Sequence, residues 1–184
     1  MNRHLKIVVT GPFNAGKTRF VKTLSDIDIV STERKLTRRD PSTLRASAAR
    51  SAQGDRLKAQ TTVAMDYGRV QLGEDVIHLH GTPGQARFDF MWDILAREMA
   101  GLIFLVDTAA PDTYPEARDL LEFFTAGHNV PHVIAANKQD ADGATRPERL
   151  RRALDLPAGT LIMPCVASRK TSARQVLAQL VELI

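Results

Sequence analysis

The apolar run Leu5–Val9 leads directly into Gly11-Pro12-Phe13-Asn14-Ala15-Gly16-Lys17-Thr18, and no other stretch constrains the fold as much. The pattern G-x-x-x-x-G-K-T after a predicted strand and before a predicted helix is a phosphate cradle. Glycines let the backbone curl without a Cβ in the way, and the helix start turns unpaired N–H groups toward an anion. Lys17 is placed to reach the outer phosphates, and the Thr18 hydroxyl to ligate Mg²⁺. A chain built around such a turn binds a nucleoside phosphate, and it needs a sheet to carry the loop.

The rest of the chain supplies that sheet. Short apolar strands are predicted at Leu5–Thr10, Thr62–Leu72, Val76–His80, Leu102–Asp107, His132–Ala136 and Leu161–Met163. They alternate with helical patterns at Lys17–Ser25, Phe88–Ala100, Thr113–Ala126, Pro147–Leu154 and Ser172–Ile184, the mark of a mostly parallel α/β sheet. Gly73-Glu74-Asp75 joins two of the strands as a hairpin, so one edge strand is expected to run antiparallel. Pro147 suits a first helical turn, with Thr145 as its expected N-cap.

Residues 31–60 fit no element. Mostly Ser, Thr, Ala and Arg without sustained periodicity, they read as a long, mobile loop beside the phosphate site. The chain carries a net charge of +4 over 184 residues. From Glu33 to Lys58, eight basic residues face three acidic ones, so the loop accounts for the excess and the remainder is near neutral. A confined basic loop argues against a nucleic-acid-binding surface. It leaves room for plain solvation, or for transient contact with an anionic membrane surface or an acidic partner.

One cysteine, Cys165, excludes an internal disulfide and fits a reducing compartment. No apolar run approaches the length of a membrane span. With neither a secretory h-region nor a lipidation motif at the ends of the sequence, the expected location is the cytoplasm. The size suits a single domain over residues 1–184.

The base is named by Asn137-Lys138-Gln139-Asp140, which follows the strand His132–Ala136. There the Asp140 carboxylate can accept from guanine N1–H and the 2-amino group, a donor pair that adenine lacks. Lys138 would lie along the base plane, and Asn137 would tie this turn to the phosphate loop.

With these pieces in place the chain resembles the Ras-like small GTPases over essentially its whole length. Gly11–Thr18, Thr62-Val63-Ala64-Met65-Asp66-Tyr67, Gly81-Thr82-Pro83-Gly84-Gln85, Asn137–Asp140 and Cys165-Val166-Ala167-Ser168 stand in family order. The phosphate loop, residues 63–68 and residues 81–88 look more narrowly like the small GTPases of bacterial conservon-type operons. The resemblance implies a three-layer P-loop fold with six strands and helices on both faces. It also implies a slow GTPase switch that binds GTP or GDP with Mg²⁺.

Residue by residue, it implies that Gly11, Asn14, Ala15, Gly16, Lys17, Thr18 and Arg19 hold phosphates. Gly84 N–H would meet the γ-phosphate, and the Ala167 N–H would meet guanine O6. Thr18 and Thr62 would hold the metal, with Gln85, Thr62 and Lys17 acting in hydrolysis. A roadblock-fold regulator and a sensor-kinase-type protein are the implied partners.

One departure stands out. Gly81 occupies the place of the family's metal-holding aspartate, which lowers the expected hold on Mg²⁺. Two other readings therefore stay open: a non-hydrolysing GTP/GDP-binding module, and an ATP-using P-loop enzyme with Asp107 as its metal carboxylate. Arg45, Arg50 or Arg56 could supply a catalytic arginine in cis, or only surface charge. His78 and His80 share a strand face, where packing is the expected role. Phe88, Phe90 and Trp92 are expected to pack at the start of a helix, on the surface where effectors dock in this fold.

Overall fold

A computed structural model describes residues 2–37, 60–83, 94–126 and 130–184. Among these residues seven strands form one sheet in the order β2-β3-β4-β1-β5-β6-β7. They are β1 (His4–Thr10), β2 (Val30–Thr37), β3 (Gln60–Leu72), β4 (Asp75–Gly81), β5 (Gly101–Asp107), β6 (His132–Asn137) and β7 (Leu161–Pro164). Four α-helices lie wholly within the described residues: α1 (Lys17–Leu24), α2 (Tyr114–Thr125), α3 (Pro147–Ala153) and α4 (Lys170–Glu182).

Strand composition follows position in the sheet. In the central β5 every residue is buried, because both faces are covered. Ile103 and Leu105 join one core with Ile7, Val9, Phe20, Val21 and the α4 stripe Ala173, Val176, Leu177 and Leu180. Leu102, Phe104 and Val106 join the other, with Leu120, Leu121 and Phe124 of α2 and Leu150 of α3. These two cores make the three layers, helix on sheet on helix.

All pairings from β4 to β7 are parallel, whereas β3 is antiparallel to both β4 and β2. Seven strands replace the expected six because β2 forms within the stretch read as loop. Residues 30–37 pair with residues 60–67, so only 38–59 are left of that segment, and they lie outside the described residues. An edge strand is held by backbone bonds to a single neighbour and needs no continuous apolar face, which is why its sequence gave no strand signal.

Two smaller expectations change. The N-cap of α3 is Arg146, without a side-chain cap bond, and Thr145 instead accepts from Gln139 Nε2 through its carbonyl at 3.0 Å. Of the helix expected over 88–100, residues 94–96 are helical and 84–93 fall outside the described residues. Leu95, Ala96 and Met99 are buried against the second core. No described helix is long and apolar enough to cross a membrane.

Candidate functional site

The phosphate loop joins β1 to α1 and is braced from behind. Gly11 has φ 142°, and a Cβ there would stand 2.1 Å from the Leu105 carbonyl oxygen of β5. Gly16, at φ 101°, caps α1 in the left-handed region, and a Cβ would meet Asn137 Nδ2 at 2.5 Å. Both glycines are therefore required by backbone angle and by space. Asn14 is also left-handed, at φ 63°.

Lys17 is buried, its Nζ donating to the carbonyls of Gly11 and Pro12, each at 2.7 Å. Burial pushes its pKa down to about 8, against partial support from Glu116 and Asp66. The ammonium is thus held at the loop with its charge only partly compensated, a setting that an anion would relieve. In the free protein the depressed pKa lets Lys17 lose its proton as pH rises through 8, whereas bound phosphates would keep the ammonium charged. Phosphate-ligand affinity is accordingly expected to fall about tenfold between pH 7 and pH 9. Calorimetric titration across that range should give this slope in the wild type and a flat profile in Lys17→Met.

Thr18, the next residue, donates its hydroxyl to Asp66 Oδ2 at 2.5 Å. Asp66 lies on β3, is 7% exposed, and accepts from the Ser31 hydroxyl of β2 at 2.8 Å on its other oxygen. Its partner across the β3–β4 ladder is Gly81. A Cβ at Gly81 would sit 3.1 Å from the Asp66 Cβ and 3.6 Å from Oδ2. The glycine that departs from the family pattern is therefore the residue that makes room for a carboxylate arriving from the neighbouring strand. Sequence reasoning quoted Asp66 within a motif and gave it no role. An isolated acid in a strand whose next residues pair into the sheet was the available signal.

Hydroxyl and carboxylate oxygens with a single acid suit Mg²⁺, which takes one or two carboxylates together with substrate phosphates. No group of three His, Cys, Asp or Glu among the described residues could hold an ion by itself. The donor set fits a metal that arrives with phosphates.

The second half of the site is built by β6. Asn137 is 2% exposed; its Nδ2 donates to the Ala15 carbonyl and its Oδ1 accepts the Ala167 N–H, both at 2.8 Å. One side chain thus clamps the phosphate loop to the 165–168 turn. The Ala167 N–H, expected to meet guanine O6, is bonded to Asn137 in this structure. Replacing Asn137 by Ala leaves that buried donor and the Ala15 carbonyl unpaired, at a cost of roughly 2–3 kcal/mol in unfolding free energy, measurable by denaturant titration.

Lys138 sits at φ 63°, and its Nζ meets Asp107 Oδ2 at 2.5 Å. Asp107 Oδ1 accepts from the Ala109 N–H at 3.0 Å. Asp107 therefore orders the turn after β5 and anchors the base motif. Asp140 is exposed, with its carboxylate open to a ligand.

The other expected residues fall in three places. Thr62 pairs with Lys35 in the β2–β3 ribbon, four residues from Asp66 along β3, or roughly 13 Å at strand spacing. Arg19 is exposed on the first turn of α1. Gly84, Gln85, Phe88, Phe90, Trp92, Arg45, Arg50 and Arg56 lie outside the described residues. The segment leading to Gly84 is anchored by Thr82, whose N–H donates to the Val9 carbonyl at 2.9 Å and whose hydroxyl bonds that of Thr10 at 2.7 Å.

His78 stacks on His4 and exchanges a hydrogen bond with the Tyr67 hydroxyl at 2.8 Å, a packed aromatic group on the sheet face. Burial, with His4 and Arg69 nearby, lowers the His78 pKa. Cys165 is buried, and desolvation raises its thiol to about 11, so it is not a reactive nucleophile.

A glycine-braced anion cradle on β1 and an Asn-Lys-x-Asp turn on β6, clamped together on a mostly parallel sheet, define a P-loop domain with the fold of a small GTPase. The chain belongs to the family described as conserved hypothetical ATP binding protein, which it matches over residues 9–184.

Among curated proteins it is similar to ADP-ribosylation factor-like protein 8b of Arabidopsis thaliana, 32% identical over 103 residues, 54% of this chain and 55% of that protein. It is also similar to ADP-ribosylation factor-like protein 4D of Homo sapiens, 33% identical over 109 residues, 55% and 54% of the two chains. The chain spans about half the length of the curated relatives it matches. In fold it is similar to the Arl6 BBS3 small GTPase of Trypanosoma brucei with bound nucleotide analogue GppNp. That likeness has a TM-score of 0.70 at 18% identity and covers 98% of this chain and 96% of that one.

Proposed function

We propose that this chain is a guanine-nucleotide switch: it binds GTP or GDP with Mg²⁺, hydrolyses GTP slowly and reports the bound state to a protein partner. The observation that carries the reading is the Asn137 clamp. It ties the base turn bearing Asp140 to the phosphate loop, so one ligand of nucleotide length satisfies both. The family description names ATP. Asp140 argues for guanine, since an exposed carboxylate at this turn gains nothing from adenine, which lacks the N1–H and 2-amino donors.

Lys17 leaves the Gly11 and Pro12 carbonyls for the outer phosphates, and the loop N–H groups from Asn14 to Arg19 close around them. Thr18 and Asp66 are the residues that would hold Mg²⁺, which when bound neutralises charge between the phosphates. Gln85 orients the attacking water, and Gly84 N–H marks the γ-phosphate, both by resemblance to the family. Residues 26–62 and 81–92 carry the state outward. The resemblance points to a roadblock-fold regulator and a sensor-kinase-type protein as their readers.

A second reading, a guanine-nucleotide-binding module without turnover, draws on the place of Thr62 in the β2–β3 ribbon, far from Thr18. One experiment decides among these. Nucleotide released from the purified protein is identified, and GTP and ATP turnover is then followed with and without Mg²⁺. GDP or GTP on the protein and slow, Mg²⁺-dependent GTP hydrolysis are expected. Retention of ATP would overturn the base assignment, and nucleotide binding without turnover would select the second reading.

A further inference from the structure

Away from the phosphates, the loop that follows the base motif and the helix after it enclose a groove of about 570 Å³. Three of its lining residues are arginines: Arg146 at the start of α3, and Arg149 and Arg152 one turn apart along it. All three are exposed, and none enters an ion pair or side-chain hydrogen bond among the described residues. The neighbouring Arg151 behaves differently, donating to the carbonyls of Pro157 at 2.5 Å and Thr160 at 2.7 Å. The helix thus spends one arginine on its own architecture and presents three to solvent around a concave surface.

We propose that this groove is the docking site for an acidic protein segment, with Arg146, Arg149 and Arg152 as its anchors. Guanidinium forks bind carboxylates in pairs, and residues one helical turn apart, about 5 Å, match the spacing of carboxylates along one face of a helical partner. The charge is a strip rather than a plane: Glu148 lines the same groove, and Asp142 and Asp155 flank α3 in sequence. That pattern suits a narrow acidic segment better than a bilayer or a nucleic-acid backbone, either of which meets a broad field of phosphates.

The loop that lines the groove is also hydrogen-bonded to the base turn. Gln139, next to Asp140, donates to Thr108 Oγ1 at 2.9 Å and to the Thr145 carbonyl, and the Thr145 N–H donates to the Thr108 carbonyl at 2.8 Å. A partner seated here touches the loop that follows the base turn. The proposal stands independently of which nucleotide the site takes.

The test uses the full chain and a fluorescein-labelled helical peptide with glutamates every three or four residues, followed by anisotropy. The same peptide with glutamine in place of glutamate, phosphatidylserine vesicles and a single-stranded oligonucleotide serve as competitors. The triple variant Arg146→Ala/Arg149→Ala/Arg152→Ala is expected to bind the acidic peptide about tenfold more weakly than wild type. Its melting temperature and nucleotide affinity should be unchanged.

Arg45→Ala/Arg50→Ala/Arg56→Ala, which removes charge from the other basic segment, is expected to leave peptide binding within about twofold of wild type. Four results would each overturn the proposal: no measurable peptide binding; equal binding by the glutamine peptide; an undiminished triple variant; or vesicles or oligonucleotide outcompeting the peptide at the arginine groove.

Discussion

Asp140→Asn is expected to lower GTP affinity by about 10²–10⁴-fold while leaving the fold intact. Asp140 is exposed at the end of the β6 turn, so the substitution removes no packing. What it removes are two hydrogen bonds to a charged acceptor, each contributing about 1.5–3 kcal/mol when made in a closed site. An asparagine offers one carbonyl for the guanine N1–H and then points an N–H at the 2-amino group, donor against donor. Xanthine presents a carbonyl at that position, so the same asparagine should pair with it. The variant is expected to prefer xanthosine triphosphate over GTP, a change of partner rather than a general loss. Calorimetric titration with GTP, xanthosine triphosphate and ATP checks this. If ATP and GTP bind the wild type equally and the variant changes neither, Asp140 does not read the base and the guanine assignment fails.

The parts of this protein that were legible in its sequence are those whose signal is local. The glycines of the phosphate loop announce themselves because Gly11 backs onto Leu105 and Gly16 must turn left-handed. The buried strand β5 reads as Gly101-Leu-Ile-Phe-Leu-Val-Asp107 because both its faces are covered. The Asn-Lys-x-Asp turn is recognisable because it ends a strand.

Non-local features stayed hidden. β2 is polar and is held by its ladder to β3, so nothing in Val30–Thr37 taken alone distinguishes a strand from a loop. The pairing of Lys138 with Asp107 depends on β5 and β6 lying side by side, with Asp107 opposite Asn137. Asp66 was missed for the same reason. Only the register of the β3–β4 hairpin, fixed by the turn at Gly73-Glu74, places it opposite Gly81, and a slip of one residue would carry its side chain to the other face. A motif read along the chain registers a missing aspartate at 81. The folded sheet returns a carboxylate to the same neighbourhood from the next strand.

That relocation makes the second large prediction a pair of variants. Asp66→Asn keeps an oxygen for the Thr18 hydroxyl but removes the charge, and is expected to weaken Mg²⁺-dependent nucleotide binding about 10–100-fold. Affinity measured in chelator should be unchanged. Gly81→Asp alone sets a second carboxylate against the first. At a Cβ contact of 3.1 Å the strands must yield, and two like charges share one site. It should destabilise the fold by roughly 1–3 kcal/mol and bring no gain in metal affinity.

Combining the two removes the repulsion and offers a carboxylate from β4 instead of β3. Asp66→Asn/Gly81→Asp is therefore expected to recover most of the Mg²⁺ dependence that Asp66→Asn loses. The two positions should be non-additive by about 1 kcal/mol or more in a double-mutant cycle. Nucleotide dissociation rates at set Mg²⁺ concentrations read the metal term, and thermal unfolding reads the strain separately. If Asp66→Asn leaves the Mg²⁺ dependence as in the wild type, the carboxylate on β3 serves only to tie Thr18 to Ser31. Glycine at 81 would then mark a lost metal contact instead of one moved across the ladder.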